Sequence, residues 1–119
     1  MLAAIARCDV VVAPACLQTA PPFDDVDRPV AGVPVTWPDV SARTMALWNV
    51  TGLPAVAVPI GVGDDGLPVG MQVAGIAFAD ERCLAVAAAY QAATDHHRRR
   101  PPSPPSFTPP PTSPAGGTR

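Results

Sequence analysis

Four serines, three cysteines and two histidines are among the side chains in this 119-residue chain that could attack a carbonyl or activate the group that does. Such chemistry needs a nucleophile, a base within hydrogen-bond reach to take its proton, and donors for the negative charge that develops. Ser41 reads as a helix N-cap, because no glycine-rich turn surrounds it to expose a strained hydroxyl. Ser103, Ser106 and Ser113 lie in a proline-rich stretch with no core to hold them. Cys8, Cys16 and Cys83 have no base fixed beside them by any sequence feature. His96 and His97 are adjacent, so on a helix they diverge by about 100° and do not address one site together. Lysine is absent, and the positive charge consists of eight arginines.

Other chemistries find equally little. Asp24, Asp25 and Asp27 form an acidic knot, and Asp64 and Asp65 share a turn. Neither has the alternating ligands of a calcium loop, and both read as solvated loop carboxylates, so no metal is expected. Gly61-Val62-Gly63 lacks the following helix that a dinucleotide fingerprint requires, and no glycine loop ends in Lys-Ser or Lys-Thr, so no cofactor is expected either. Four residues remain as candidates of another kind. Gln72 is a polar side chain in an apolar run, where a buried amide without partners costs about 1–3 kcal/mol; it is expected to bond to neighbouring backbone as a structural polar group. Asn49 reads as a helix-end cap or backbone bridge. Trp37 and Trp48 either wall a pocket or cover the rim of the core.

The composition limits what these residues could serve. Hydrophobic residues are 48% of the chain but aromatics only 5%, which predicts a core of Val, Ala, Leu and Ile packed closely between helix and sheet. A formal charge of −2 offers no footprint for nucleic acid. The one basic cluster, Arg98-Arg99-Arg100, suits the negative end of a helix. An odd number of cysteines without paired spacing, and no basic leader ahead of an apolar run, predict three small buried thiols in the cytoplasm. No apolar stretch reaches the ~18 residues needed to span a bilayer.

Two regions are predicted: residues 1–97 as the folded portion, and 98–119 as a disordered, partly polyproline-II tail. Residues 2–7 read as a helix end. Val10-Val11-Val12-Ala13 is an uninterrupted β-branched run ended by Pro14, predicting a central strand buried on both faces. From Cys16 to Asp39 five prolines punctuate a long surface loop, with a short strand considered near Val33–Thr36. Ser41 opens the next helix, which Gly52 and Pro54 close. Strands Ala55–Pro59 and Pro68–Gly75 flank the turn Gly63-Asp64-Asp65-Gly66 as an antiparallel hairpin. Asp80 is expected to cap a last helix over Glu81–Thr94. The whole is an α/β layer with a partial mixed sheet and flanking helices.

The segments Asn49-Val50-Thr51-Gly52-Leu53-Pro54-Ala55 and Gly66-Leu67-Pro68-Val69-Gly70-Met71-Gln72 together resemble the carboxy-terminal end of the amidase signature family. Weaker matches keep the same order. Cys8-Asp9-Val10-Val11-Val12-Ala13-Pro14 is similar to that family's late strand, and Ala20-Pro21-Pro22 to the stretch just after that strand. Asp80-Glu81-Arg82-Cys83-Leu84 is similar to its last helix, and Arg98-Arg99-Arg100-Pro101-Pro102 to a common chain ending.

The resemblance implies the last strands and helix of a large α/β domain that hydrolyses carboxamides with a Ser–cis-Ser–Lys triad. None of the triad positions has a counterpart in this sequence. The resemblance also implies that Cys16–Asp39 and the helix Ser41–Val50, with Trp37, Trp48 and Asn49, help wall the substrate pocket. Members acting on glutaminyl transfer RNA carry an aspartate ahead of the Asn, where this chain has Ala42 and Arg43, which argues against that substrate. The expected function is therefore a carboxy-terminal amidase fragment, inactive alone, whose partner is the amino-terminal amidase portion and whose substrate in the full enzyme is a small amide. The alternatives are a non-catalytic subunit completing a split amidase, or an adaptor that docks through its proline-rich tail.

Overall fold

The computed structural model describes Ile5 and residues 7–100. The proline-rich stretch from Pro101 onward, and all but Ile5 and Arg7 of the helix expected over 2–7, lie outside the described residues. Strand β1 (Val11–Pro14) is followed by a long connection, and then by three helical pieces run end to end: α1 (Trp37–Ser41), a π-helical stretch (Ala42–Ala46) and α2 (Leu47–Thr51). The hairpin β2 (Ala55–Val62) and β3 (Pro68–Ala74) comes next, then α3 (Asp80–Ala93) and a 3-10 turn (His96–Arg98).

The sheet order is β1-β3-β2, with both pairings antiparallel. Among the described residues the sheet is therefore antiparallel throughout rather than mixed. It also has β3, not β1, at its centre. Gln72, Val73 and Ala74 are all buried, and successive strand residues face opposite ways, so β3 is covered on both sides. β1 alternates between half-buried and exposed, and Val12 is 55% exposed. An unbroken apolar run signals two buried faces but does not say which neighbours supply them.

The helices form the outer layers. On one face Trp48 packs with Ile5 and Ala74, joined by Val11, Leu47 and Leu53. On the other, α3 approaches β3 at Gly75, where an added Cβ would lie 3.0 Å from the Cys83 sulfur and 3.1 Å from the Ala79 Cβ. Cys83 and Ala87 are the buried contacts of α3, and small side chains there let it lie close on the sheet.

Two helix starts differ from expectation. The N-cap of α1 is Thr36, whose hydroxyl accepts from the Asp39 amide at 3.4 Å and donates to the Asp39 carboxylate at 2.8 Å. Pro38 sits in the first turn, where its missing N–H goes unneeded. Ser41 thus lies inside the helix, and the preceding loop ends at Thr36, with only a bridge between Val30 and Val33 instead of a strand. In α3 the N-cap is Ala79 without a side-chain bond, and Asp80 is the first helical residue, placing its charge against the dipole.

The hairpin loop follows its turn chemistry. Gly66 takes φ 78°, its amide bonds to Gly63 O at 2.9 Å, and the Leu67 amide bonds to Asp65 Oδ1 at 3.1 Å. Thr19 of the long connection donates its hydroxyl to Asp65 Oδ2, tying that connection to the hairpin. This bond first, and the Leu67 amide second, hold the Asp65 carboxyl below the ordinary aspartate range.

Two outcomes follow from this packing. Gly75→Val should overpack the β3–α3 contact and lower stability by about 1–3 kcal/mol in urea denaturation. A lowered folded pKa stabilises above the unfolded value and loses that contribution as pH falls through the folded value. Thr19→Val should therefore be less stable than the unaltered chain at neutral pH, and thermal melts of the two should converge once pH drops below the aspartate range.

Candidate functional site

The polar group held most firmly inside the structure is the Gln72 amide. Its residue is 6% exposed, and its Nε2 donates to Pro14 O at 2.9 Å and to Thr44 O at 3.2 Å. One side chain on β3 thus joins the end of β1 to the middle of the helical rod. Thr44 lies in the π-helical stretch, and a side chain bonding to a helix carbonyl is a recognised cause of departure from α geometry. Both bonds go to backbone carbonyls, so the amide reports position rather than reactivity.

The three proposed wall residues are not brought together. Trp37 begins α1 and is 36% exposed, its amide donating to Asp27 Oδ1 at 2.7 Å. Trp48 is 6% exposed in the core of α2, and its indole Nε1 is buried with no hydrogen-bond partner among the described residues. A rise of 1.5 Å per residue puts about 16 Å of helix between them. Asn49, next to Trp48, is exposed; the helix is ended instead by Gly52 in the left-handed conformation, φ 65°.

Two of the shallow concavities among the described residues lie beside α3. The larger, of about 270 Å³, opens at the start of α3 between Ile76, Phe78, Ala79, Glu81 and Arg82. Phe78 there is fully exposed with φ 65°, a conformation uncommon for a bulky residue. The smaller, of about 120 Å³, lies between Pro54, Ala55, Val56, Asp80, Cys83 and Leu84. Trp37, Trp48 and Asn49 line neither.

The nucleophile and base candidates stay apart as well. Cys8 is exposed, Cys16 half-buried and only Cys83 buried, so the expectation of three buried thiols holds for one. Burial, and then the Asp80 charge, push the Cys83 thiol up, which favours the protonated form; among the described residues its one hydrogen-bond contact is with Pro54 O at 3.9 Å. His96 and His97 are half-buried in the 3-10 turn rather than solvated. His96 stacks on Tyr90 with ring centroids 6.4 Å apart, and both Nδ1 atoms are buried without hydrogen-bond partners among the described residues. Sequence reasoning missed this packing. The aromatic ring six positions earlier was its only signal. Among the described residues no three His, Cys, Asp or Glu side chains gather to hold a metal, and no helix is long and apolar enough to cross a membrane.

Gln72→Met keeps the length of the side chain but removes the donor, leaving the Pro14 and Thr44 carbonyls each short of a bond. It should lower stability by about 1–3 kcal/mol, read by urea denaturation. Loosened protection of the β1 amides in hydrogen exchange should accompany it.

With this geometry in place, comparisons with known proteins supply the family. The amidase family model matches residues 1–84. The chain is 34% identical over 93 residues to AmiA2 of Mycobacterium tuberculosis, named as an amidase, a match covering 71% of this chain and 17% of that protein. It is 35% identical over 92 residues to the fatty acid amide hydrolase of Medicago truncatula, covering 71% and 14%. It is 35% identical over 77 residues to one subunit of the glutamyl-tRNA(Gln) amidotransferase of Wolinella succinogenes, covering 65% and 16%. The chain thus spans only about one-sixth of the length of these relatives. A family match over more than half of its residues, in step with the strand–helix–hairpin–helix order described above, leads to one conclusion: the chain belongs to the amidase family.

Proposed function

We propose that this chain is the carboxy-terminal part of a carboxamide hydrolase, that it lacks the Ser–cis-Ser–Lys triad, and that it is inactive alone. One observation carries the reading: a family match over residues 1–84 in a sequence without a single lysine. The described side chains, which do not include that of Ser41, support it, because none of the hydroxyl or thiol hydrogen bonds among them has an imidazole or amine as partner. In the complete enzyme the segment would act as a buttress. Gln72 holds β1, β3 and the helical rod in fixed relation, while Trp37 and Asn49, both exposed on that rod, are free to wall a pocket for a small amide. The missing amino-terminal amidase portion is the proposed partner. The three unpaired cysteines favour a cytoplasmic setting.

A second reading, a non-catalytic subunit that completes a separately encoded amidase half, is favoured by the sheet, whose outer strand has an apolar side chain more than half exposed. An adaptor role would rest on the proline-rich stretch beyond the described residues. The purified chain should show no turnover across a panel of simple carboxamides and no labelling by a serine-directed fluorophosphonate. Turnover that tracks the chain through purification and disappears with a substitution inside it would sink the proposal.

A further inference from the structure

One covalent reaction needs no cofactor and no partner, only an aspartate followed by a residue that leaves its own amide accessible. Asp65 is the one aspartate in the chain that precedes glycine; the others precede Val, Asp, Arg, Glu or His, whose side chains shield the next amide. Asp65 and Gly66 are both exposed in the β2–β3 loop, and a Cβ built on Gly66 meets nothing within 4 Å. A backbone nitrogen and a side-chain carboxyl have room there to close on each other.

Closure joins the Gly66 nitrogen to Asp65 Cγ. The N–Cγ bond forms, the Cγ–OH bond breaks, and the hydroxyl leaves with the amide proton as water. Water then adds to the cyclic imide. Addition at Cγ breaks the new N–Cγ bond and restores aspartate. Addition at the main-chain carbonyl breaks the original bond to the Gly66 nitrogen instead, leaving isoaspartate, whose chain runs through the side-chain methylene. Nothing is oxidised or reduced, and the mass returns to its starting value.

Three hydrogen bonds in the folded loop oppose the first step. The Gly66 amide donates to Gly63 O at 2.9 Å, so the attacking nitrogen is engaged. The Thr19 hydroxyl holds Asp65 Oδ2, and the Leu67 amide holds Oδ1 at 3.1 Å. The last two, Thr19 foremost, also favour the ionised carboxylate, from which no hydroxyl can leave. Two of the three bonds lie within the loop and move with it. Thr19 comes from the long connection, 46 positions earlier, and its Cγ2 is 3.0 Å from where a Gly63 Cβ would stand. The loop is fitted around that side chain.

We propose that Asp65-Gly66 is a site of spontaneous isoaspartate formation, and that Thr19 is the latch that restrains it. The reaction proceeds from local openings in which the long connection lifts away and frees the carboxylate. Conversion makes the opening permanent, because the extra backbone atom carries the carboxylate away from Thr19 and Leu67. This chemistry uses no substrate, so it stands apart from the amidase reading.

The test ages the full 119-residue chain at physiological temperature and pH beside Thr19→Val, Thr19→Ser and Asp65→Glu. Isoaspartate is counted by methyl transfer from radiolabelled S-adenosylmethionine with an isoaspartate-specific methyltransferase, and located by peptide mapping. It should accumulate at residue 65 of the unaltered chain and be absent there in Asp65→Glu. Thr19→Val, shown to be folded by circular dichroism, should accumulate it about fivefold faster. Thr19→Ser keeps the hydroxyl and should age like the unaltered chain. If Thr19→Val fails to fold, Thr19→Ala must show the same acceleration. No isoaspartate at residue 65 in the folded Thr19 variant overturns the site. Equal rates in that variant and the unaltered chain, or an equal acceleration in Thr19→Ser, overturn the latch and the proposal with it.

Discussion

A single buried amide sets the geometry on which the other elements depend. Gln72 stands in the central strand, and from there it reaches the end of β1 and a carbonyl in the π-helical stretch. Neither contact is with its hairpin partner, so the amide ties together pieces that the hairpin itself does not hold. Hydrophobic contact at Trp48, Ala74 and Ile5 supplies adhesion between helix and sheet, but such contact is not directional. The amide adds direction. In a low-dielectric interior its hydrogen bonds strengthen, and its register becomes costly to violate. That is how a strand of only four residues keeps a defined place.

Coverage of the apolar surface is uneven. The centre of the sheet is closed off, with Val73 and Ala74 fully buried, while Phe23 and Phe78 are fully exposed and Val50 is 85% exposed. Scattered apolar side chains at a surface are ordinary, but a fully exposed phenylalanine held at positive φ combines two unfavourable features. The chain spans about one-sixth of the length of its relatives, and among the described residues the apolar surface left uncovered lies around the hairpin and helices rather than between them.

Local chemistry was legible in the sequence wherever a few neighbouring residues determine conformation. The hairpin follows from Asp65-Gly66 and its flanking β-branched residues, and α3 from the run after Asp80. Helix starts were harder. Pro38 reads as loop punctuation, yet with Thr36 and Asp39 around it the same proline is a first-turn residue of a capped helix. Gln72 stood out as polar among apolar neighbours, but one of its partners lies 28 positions away and the other 58. No local pattern encodes such distances. The place of β1 failed for a related reason, because burial can be read from composition whereas adjacency cannot. The wall residues show the same divide: Trp37, Trp48 and Asn49 are near in sequence, and the rod buries Trp48 while leaving Trp37 and Asn49 exposed.

The pairing of β1 with β3 also bears on the order in which the chain acquires its shape. Hairpin and final helix are contiguous, so they can condense soon after synthesis. β1 is made first, yet it must wait for a strand almost sixty positions later, its Pro14 standing 58 residues before the amide that secures it. Closing so long a loop costs more entropy than closing a hairpin, and such non-local contacts are slow to form. During that interval Val10, Val11 and Val12 are a bare, sticky ribbon in a growing polypeptide, open to any passing strand. The period of greatest vulnerability thus falls before the sheet exists, and a chaperone gripping Val10–Val12 would cover it.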